Sequence, residues 1–320
     1  MAEFSSPAAR EKAFEVARKA FEEQQWSAAS SAFQTLYQDQ QTPELNRYLV
    51  MSLFRDQQYL AAEQIAAEQD QIYLANESLF NLRLAVALKN QQFIFAREFC
   101  ELVGARDWRE AGLEKIQQTE REAEQSLAAT QKTIAKQFYH LGDVSFAEQR
   151  QRLERAKQLP LATFMKGVQY LLVDPFLHPL IRATLLEELL RLKVDTSVQL
   201  HWLDDQTYTI ATKDLRPVGA SQSAQAIQNY LQLELGQNDP VLAANLQQTV
   251  TLQLMMLYPF IDKVITQPVL WAQAVGGIAP SGVDSEKLKE IMVWQQRLNR
   301  YLAELFGPLS GENTEKPKNE

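Results

Sequence analysis

The side chains that could do chemistry are few and lie far apart in the sequence. The three histidines, His140, His178 and His201, fall in three different predicted elements, and no HExxH pattern or second cysteine accompanies them. A metal site needs several nitrogen, sulfur or oxygen ligands close together. We therefore interpret the histidines as structural, with His178-Pro179 at a helix start. The sequence predicts no catalytic residue, no metal site and no cofactor.

Other reactive groups also favour structural roles. Cys100 has the spacing of a buried helix residue, and Asp204-Asp205 fits a hairpin turn better than a pair of metal ligands. Gly276-Gly277 is followed by Ala-Pro and lacks the Lys-Ser/Thr that a phosphate-binding loop requires. These patterns predict that the protein is not an enzyme.

The bulk composition and the apolar segments argue against several function classes. The chain has 320 residues and a net charge of -8, whereas nucleic-acid binders usually carry a strongly basic surface. A single cysteine is typical of a reducing compartment. The first residues lack the apolar core of a signal peptide, and the apolar runs are too short to cross a bilayer. We expect a cytoplasmic protein with no nucleic-acid partner and no membrane partner.

A short motif occurs three times near the start of the chain. QQWSAA, QQYLAA and QQFIFA share the pattern Gln-Gln-aromatic-x-x-Ala, and their aromatic residues Trp26, Tyr59 and Phe93 are 33 and 34 residues apart. A period near 34 is typical of two antiparallel helices and a turn. Apolar residues at three- and four-residue steps on both sides of each motif also predict helix pairs.

The motif suggests how each helix pair is built. The aromatic residue is expected to begin the second helix and to pack against the first. The alanine three residues later is expected where the two helices cross closely, since a larger side chain would clash there. These alanines are Ala29, Ala62 and Ala96. The glutamine pair is expected in the connecting turn, where it needs only to be polar.

Residues 9 to 105 resemble the tetratricopeptide-repeat family through this motif and its period, although Val50 and Leu84 stand where the family has a small residue. The segments LLVDPFLHPLIRATLLEELLRL (171–192) and MMLYPF (255–260) are similar to a little-characterised group of bacterial tetratricopeptide-repeat proteins. The resemblance implies a superhelix of helix pairs and an interaction protein, and it brings no catalytic residue.

The whole chain is predicted to be all-α with one β-hairpin. We expect three repeats in residues 1–105, one long connecting helix in 106–141, and a helical C-terminal domain in 142–306. The alternating β-formers on both sides of Asp204-Asp205 predict the hairpin at 198–212. The loop 276–284 is expected to precede the last helix, which Asp284 or Ser285 would cap, and residues 307–320 have the composition of a disordered tail.

The first helices of the repeats are predicted to line a concave, partly basic groove. Its predicted residues are Phe14, Arg18, Arg47, Met51, Arg55, Asn81, Ala85 and Lys89. Arginine pairs with carboxylates through two parallel hydrogen bonds, so the groove suits an acidic peptide or protein partner. For any single residue, a solvated surface charge is the competing interpretation.

Two further hypotheses remain open. In the first, the C-terminal domain is a ligand-binding or enzymatic module in which Trp202, Tyr258 and Phe260 line a pocket. In the second, the chain forms a homodimer through the long connecting helix, which light scattering would detect.

Overall fold

The computed structural model describes residues 6–278 and 285–306. In them the chain is all-α apart from one two-stranded antiparallel sheet, which confirms the predicted fold class. The helices are α1 (Pro7–Glu22), α2 (Trp26–Asp39), α3 (Pro43–Arg55), α4 (Tyr59–Ala67), α5 (Glu77–Lys89), α6 (Phe93–Cys100), α7 (Arg109–Ser126), α8 (Ala128–Tyr139), α9 (Phe146–Ala156), α10 (Leu161–Leu171), α11 (Pro179–Arg191), α12 (Gln222–Asn229), α13 (Gly236–Asn238), α14 (Pro240–Leu257), α15 (Ile261–Val264), α16 (Pro268–Val275) and α17 (Ser285–Phe306). The strands are β1 (Ser197–His201) and β2 (Thr207–Ala211). The predicted tail at 307–320, the end of the predicted loop at 276–284 and the Asp284 cap lie outside the described residues.

The chain divides into two compact units. The first unit is Met1–Ile134 with Arg155–Phe164, and the second is Ala135–Glu154 with Met165–Glu320. The first unit is therefore built from two separate parts of the sequence. None of the three boundaries between the units, after residues 134, 154 and 164, coincides with the predicted boundaries at residues 105 and 141.

The repeat motif has the same position in all three copies, although the Phe93 side chain is fully buried and Trp26 and Tyr59 are half-buried. Trp26, Tyr59 and Phe93 are the first residues of α2, α4 and α6. The Trp26 ring packs edge-on against Phe21 of α1 at 5.4 Å between centroids. The corresponding Tyr59 ring packs against Phe54 of α3, also at 5.4 Å. The motif alanines are fully buried, as predicted: Ala29, Ala62 and Ala96.

Side chains cap the first helix of each pair. Ser6, Thr42 and Asn76 each accept a hydrogen bond from the backbone N–H three residues later. Such a cap satisfies one of the N–H groups that the first turn of a helix leaves without a partner. Each pair therefore begins at a polar cap and turns back at the glutamine pair.

The glutamine turns differ from the sequence prediction. The first glutamine of each pair has a left-handed backbone, with φ of 58° at Gln24, 61° at Gln57 and 57° at Gln91. The following residue donates its backbone N–H to a carbonyl in the last turn of the first helix, as Gln58 does to Leu53 at 2.9 Å. This pattern closes a helix with a left-handed residue, a position that glycine usually occupies. The expectation that the pair needs only to be polar was wrong, because the first glutamine also needs a rarely adopted conformation.

A buried ion network ties α5 to the elements before it. Arg83 is 0% exposed. Its guanidinium donates two hydrogen bonds of 2.8 Å to the Glu63 carboxylate and one of 2.6 Å to Asp70 Oδ1. It also lies 4.2 Å from the centroid of the Phe95 ring. Burial acts to lower the pKa of Arg83, but the hydrogen bonds and charges of Glu63 and Asp70 raise it above its usual value.

The predicted long helix at 106–141 is two helices, so that prediction was wrong. Leu127 separates α7 from α8 and has a non-helical backbone, with φ of -122° and ψ of 23°. Helix α7 packs against α5 and α6. The contact is close, because a Cβ added at Gly112 would lie 2.7 Å from Cys100 Sγ and 3.0 Å from Phe80 Cζ.

A later segment completes the first unit beside α6 and α7. The backbone N–H of Ile94 donates to Lys157 O at 3.1 Å, because Ile94 lies in the first turn of α6, where an N–H has no partner within the helix. The backbone N–H of Leu161 donates to Glu120 Oε1 at 3.1 Å, and that carboxylate also accepts hydrogen bonds from Arg97. Residues 155–164 are therefore an integral part of the first unit.

The second unit holds the hairpin and the remaining helices. His178 caps α11, because its Nδ1 accepts a hydrogen bond from the Leu180 N–H at 3.2 Å. In the hairpin Ser197 pairs with Ala211 and His201 pairs with Thr207. The His201 N–H donates to Leu172 O at 2.8 Å, which fixes the hairpin to the end of α10. Within this unit, α12 continues directly into a π-helical turn, Tyr230–Leu235.

Candidate protein-binding surface

One face of α3 carries the predicted groove residues of the second repeat. Arg47, Met51 and Arg55 are four residues apart and so follow one line along the helix. Arg55 is exposed, and Arg47 and Met51 are half-buried. The buried residues of α3 lie on its other faces: Leu45, Asn46, Leu49, Val50, Ser52 and Leu53.

The same positions of α5 carry the third repeat's residues. Asn81 and Ala85 are half-buried, and Lys89 is exposed at the end of the helix. The Lys89 ammonium lies 5.5 Å from the centroid of the Tyr59 ring, the residue that begins α4. Together these residues form the basic stripe, which we define as Arg47, Met51 and Arg55 of α3 with Asn81, Ala85 and Lys89 of α5.

The first repeat contributes less than predicted to such a surface. Arg18 is paired on its own helix, with Glu15 at 2.8 Å and Glu22 at 3.6 Å, so nearby carboxylates compensate its charge. Phe14 is half-buried and packs edge-on against Phe33 and Tyr48, with ring centroids 6.0 and 5.8 Å apart. Phe14 therefore belongs to a packed aromatic cluster.

The structure adds one cation that the sequence analysis did not select. Lys115 of α7 donates a hydrogen bond of 2.6 Å to Asn81 Oδ1 and is exposed. Lys115 is 34 residues after Asn81, which in turn is 34 residues after Arg47. The repeat period alone would have pointed to Lys115, had the pattern been extended one helix beyond the third motif.

The charges of the basic stripe have few partners within the protein. Among residues 6–278 and 285–306, neither Arg47 nor Arg55 has an acidic group within salt-bridge distance. By contrast, Arg10 pairs with Asp39 and Arg97 pairs with Glu120 in the same unit. Guanidinium groups without a carboxylate partner can each form two parallel hydrogen bonds with a carboxylate from another molecule.

The reactive residues considered in the sequence have structural surroundings. Cys100 is buried against α7, and burial raises the pKa of its thiol to about 12, so the thiol stays protonated near neutral pH. In the part of the chain that the structure describes, no three His, Cys, Asp or Glu residues group as metal ligands would. Asp204 and Asp205 lie in the hairpin turn, as predicted.

The aromatic residues predicted to share a pocket line two different cavities in the second unit. Trp202 lines a cavity of about 500 Å³. Tyr258 and Phe260 line another, of about 390 Å³, together with residues such as Arg216 and Asp262. Tyr258 is 5% exposed, and burial raises the pKa of its hydroxyl above the usual range.

No protein-family model matches the chain, and neither a curated protein nor a solved structure matches it. Within residues 6–278 and 285–306, none of the helices combines the length and the apolar character that crossing a bilayer demands.

Proposed function

We propose that the protein is a non-enzymatic interaction protein whose repeat helices bind an acidic segment of a partner protein. The observation that carries the proposal is the pair of arginines on α3, Arg47 and Arg55, which lie two helical turns apart without an acidic partner among the described residues. Lys89 and Lys115 add positive charge at corresponding positions of α5 and α7. The resemblance to tetratricopeptide-repeat proteins supports the same role.

Charge and hydrogen-bond geometry both support an acidic ligand. The chain carries a net charge of -8, so a surface with four cations is complementary to an acidic ligand and unlike the average of the molecule. Exposed cations contribute little to folding, because water and salt screen them. A bound carboxylate would use their hydrogen bonds more fully, and Met51 and Ala85 supply apolar area between them.

The test compares two variants of equal charge. In the first, Arg47, Arg55 and Lys89 are all replaced by Glu. In the control variant, Lys12, Arg106 and Arg121, which are exposed residues of the same unit, are replaced by Glu. Wild type and both variants are immobilised and exposed to a cell lysate. The proteins that they capture are crosslinked and identified by mass spectrometry.

The proposal expects a set of proteins that wild type and the control variant retain and that the stripe variant loses. The crosslinks should join acidic segments of those proteins to α3 and α5, and capture should weaken as salt is raised. If the stripe variant retains the same proteins as wild type, the basic stripe is not the binding surface.

We further propose that the protein acts in the cytoplasm. Cys100 is the only cysteine in the chain and is a buried free thiol, so the fold requires no oxidising compartment.

A ligand-binding role for the second unit is the second candidate function. The observation that favours it is the cavity of about 500 Å³ beside Trp202 and Trp294.

A further inference from the structure

Three aromatic rings of the second unit stand around one point near the hairpin turn. The Phe260 ring lies 5.1 Å from Trp202 at 84° and 4.7 Å from Tyr208 at 56°, measured between ring centroids and planes. The Trp202 and Tyr208 rings are 6.3 Å apart at 85°. Because the rings meet at steep angles, they form walls of a cage and do not form a parallel stack. We call Trp202, Tyr208 and Phe260 the aromatic cage.

The cage already holds an ammonium group. Lys263 Nζ lies 4.7 Å from the Tyr208 centroid, 5.4 Å from Phe260 and 5.8 Å from Trp202. It donates a hydrogen bond of 2.9 Å to Tyr208 Oη and lies 3.9 Å from Asp204 Oδ2. The hydrogen bond to Tyr208 and the charge of Asp204 raise the pKa of Lys263. Aromatic faces attract cations electrostatically, and such cages are a recurring way to recognise quaternary ammonium groups.

Lys263 is a removable occupant of this cage. Its side chain is 55% exposed, so one side of the cage is open to solvent. The lysine side chain is long and flexible, and its ammonium is strongly hydrated. A quaternary ammonium group is larger, holds water more weakly and loses less hydration on entering an aromatic cage. A quaternary ammonium has no N–H to replace the hydrogen bond that Lys263 donates to Tyr208, so it should displace the lysine only at a concentration high enough to outweigh that bond.

The neighbouring cavity provides space for the rest of such a ligand. Trp202, Asp204 and Lys263 form part of the wall of the cavity of about 500 Å³, and Glu290 and Trp294 of α17 form another part. The Trp294 ring is 5.6 Å from Trp202. The two carboxylates add negative potential, while Lys263 and Lys287 oppose it. Withdrawal of Lys263 would remove one positive charge from this wall, with Lys287 and the Arg297 guanidinium, 5.2 Å from the Trp294 centroid, remaining.

We propose that the aromatic cage is a binding site for a small organic cation with a quaternary ammonium group, which displaces the side chain of Lys263. The site is independent of the basic stripe, so its test does not depend on the proposed binding of an acidic partner; it rests on the second candidate function and names the ligand class for it. Lys263 competes with the ligand within the same molecule. The apparent affinity for the ligand is therefore the intrinsic affinity multiplied by the fraction of time that the cage is free of Lys263.

The test measures binding of tetramethylammonium and of choline to the full chain by tryptophan fluorescence, with sodium chloride titrations at equal ionic strength as the blank. Lys263→Ala empties the cage, and its affinity should be roughly tenfold higher than that of wild type. Lys263→Met removes the charge but keeps an apolar chain that can fill the cage, so its affinity should stay below that of Lys263→Ala. Asp204→Asn in the Lys263→Ala background should weaken binding, because it removes the nearest carboxylate.

Circular dichroism verifies that each variant is folded before its binding is interpreted. A folded Lys263→Ala variant that shows no saturable change beyond the sodium chloride blank overturns the proposal. Equal affinities of wild type and Lys263→Ala overturn it as well, since displacement would then play no part. A peptide with one trimethyllysine, compared with free choline, distinguishes a protein source of the ammonium group from a small-molecule source.

Discussion

Lys115 and Asn81 are joined by a hydrogen bond of 2.6 Å and occupy corresponding positions of successive first helices, one repeat period apart. Helix α7 therefore follows α3 and α5 at the same repeat period, although no Gln-Gln-aromatic motif comes after it. This relationship extends the basic stripe by one helix and leads to the first prediction.

Lys115→Glu should weaken the capture of the proposed acidic partner, because it places a negative charge beside Asn81. We expect a loss of about 1 kcal/mol, roughly fivefold in affinity. Arg121→Glu is the matched control, since Arg121 is exposed on the same helix and lies about 120° around it from Lys115. Biolayer interferometry with the partner identified by crosslinking measures both. Equal losses for the two variants would show that α7 acts only through overall charge.

Gln57→Gly should stabilise the first unit by about 0.5–1 kcal/mol, because glycine adopts a left-handed backbone without the steric cost that glutamine pays at φ of 61°. The control is Gln58→Gly, at a position with φ of -84°, where glycine relieves no strain. Urea unfolding followed by circular dichroism gives the two free energies. The interpretation of the turn fails if Gln58→Gly gains as much as Gln57→Gly.

Arg83→Met should destabilise the first unit by about 3 kcal/mol, because Glu63 and Asp70 would lose a partner that is completely buried. Adding Glu63→Gln should recover part of this loss, since it removes one of the unpaired charges. Arg106→Met, at an exposed position, should change stability by less than about 0.5 kcal/mol. Thermal and urea unfolding of the three variants test the prediction. An Arg83→Met variant that is as stable as wild type would contradict it.

The second unit should lose stability in mild acid through His178. Burial lowers the pKa of His178 to about 4, with the charge of Arg182 acting in the same direction, although the hydrogen bond to Tyr301 O opposes the shift. The unfolded chain binds the proton near the ordinary pKa of 6.5, so protonation favours unfolding between the two values. The contribution is fully present above pH 6.5 and falls by roughly 3 kcal/mol as the pH drops to 4.

His178→Asn keeps a capping acceptor at the start of α11 and removes the titrating group. As the pH falls from 7 to about 4.5, the unfolding free energy of wild type should therefore decrease more than that of the variant. A difference that stays constant with pH would show that His178 does not titrate in this window.

The repeats could be predicted because their signal is local and periodic. An aromatic residue and an alanine three positions later recur at a spacing that helix pairs impose, so both the helix starts and the buried alanines followed from the sequence. The hairpin was predictable for a similar reason, since β-formers lie on both sides of two aspartates that favour a turn.

Other features depend on contacts that no local pattern records. Arg83 is paired with Glu63 and Asp70, which are 20 and 13 residues away. Nothing in its own sequence neighbourhood distinguishes it from an exposed arginine. The break at Leu127 was missed because no proline or glycine marks it. The left-handed glutamines were missed because glutamine is not a residue type that usually signals such a turn.

The discontinuity of the first unit has a consequence for protein synthesis. Residues 155–164 complete the surface beside α6 and α7, where Lys157 O accepts from the Ile94 N–H and the Leu161 N–H donates to Glu120. While a ribosome is still translating the codons before residue 155, the nascent repeats have already emerged without these contacts. Until residues 155–164 have emerged, α6 and α7 therefore lack these contacts, and a chaperone that protects nascent chains would meet them in that state.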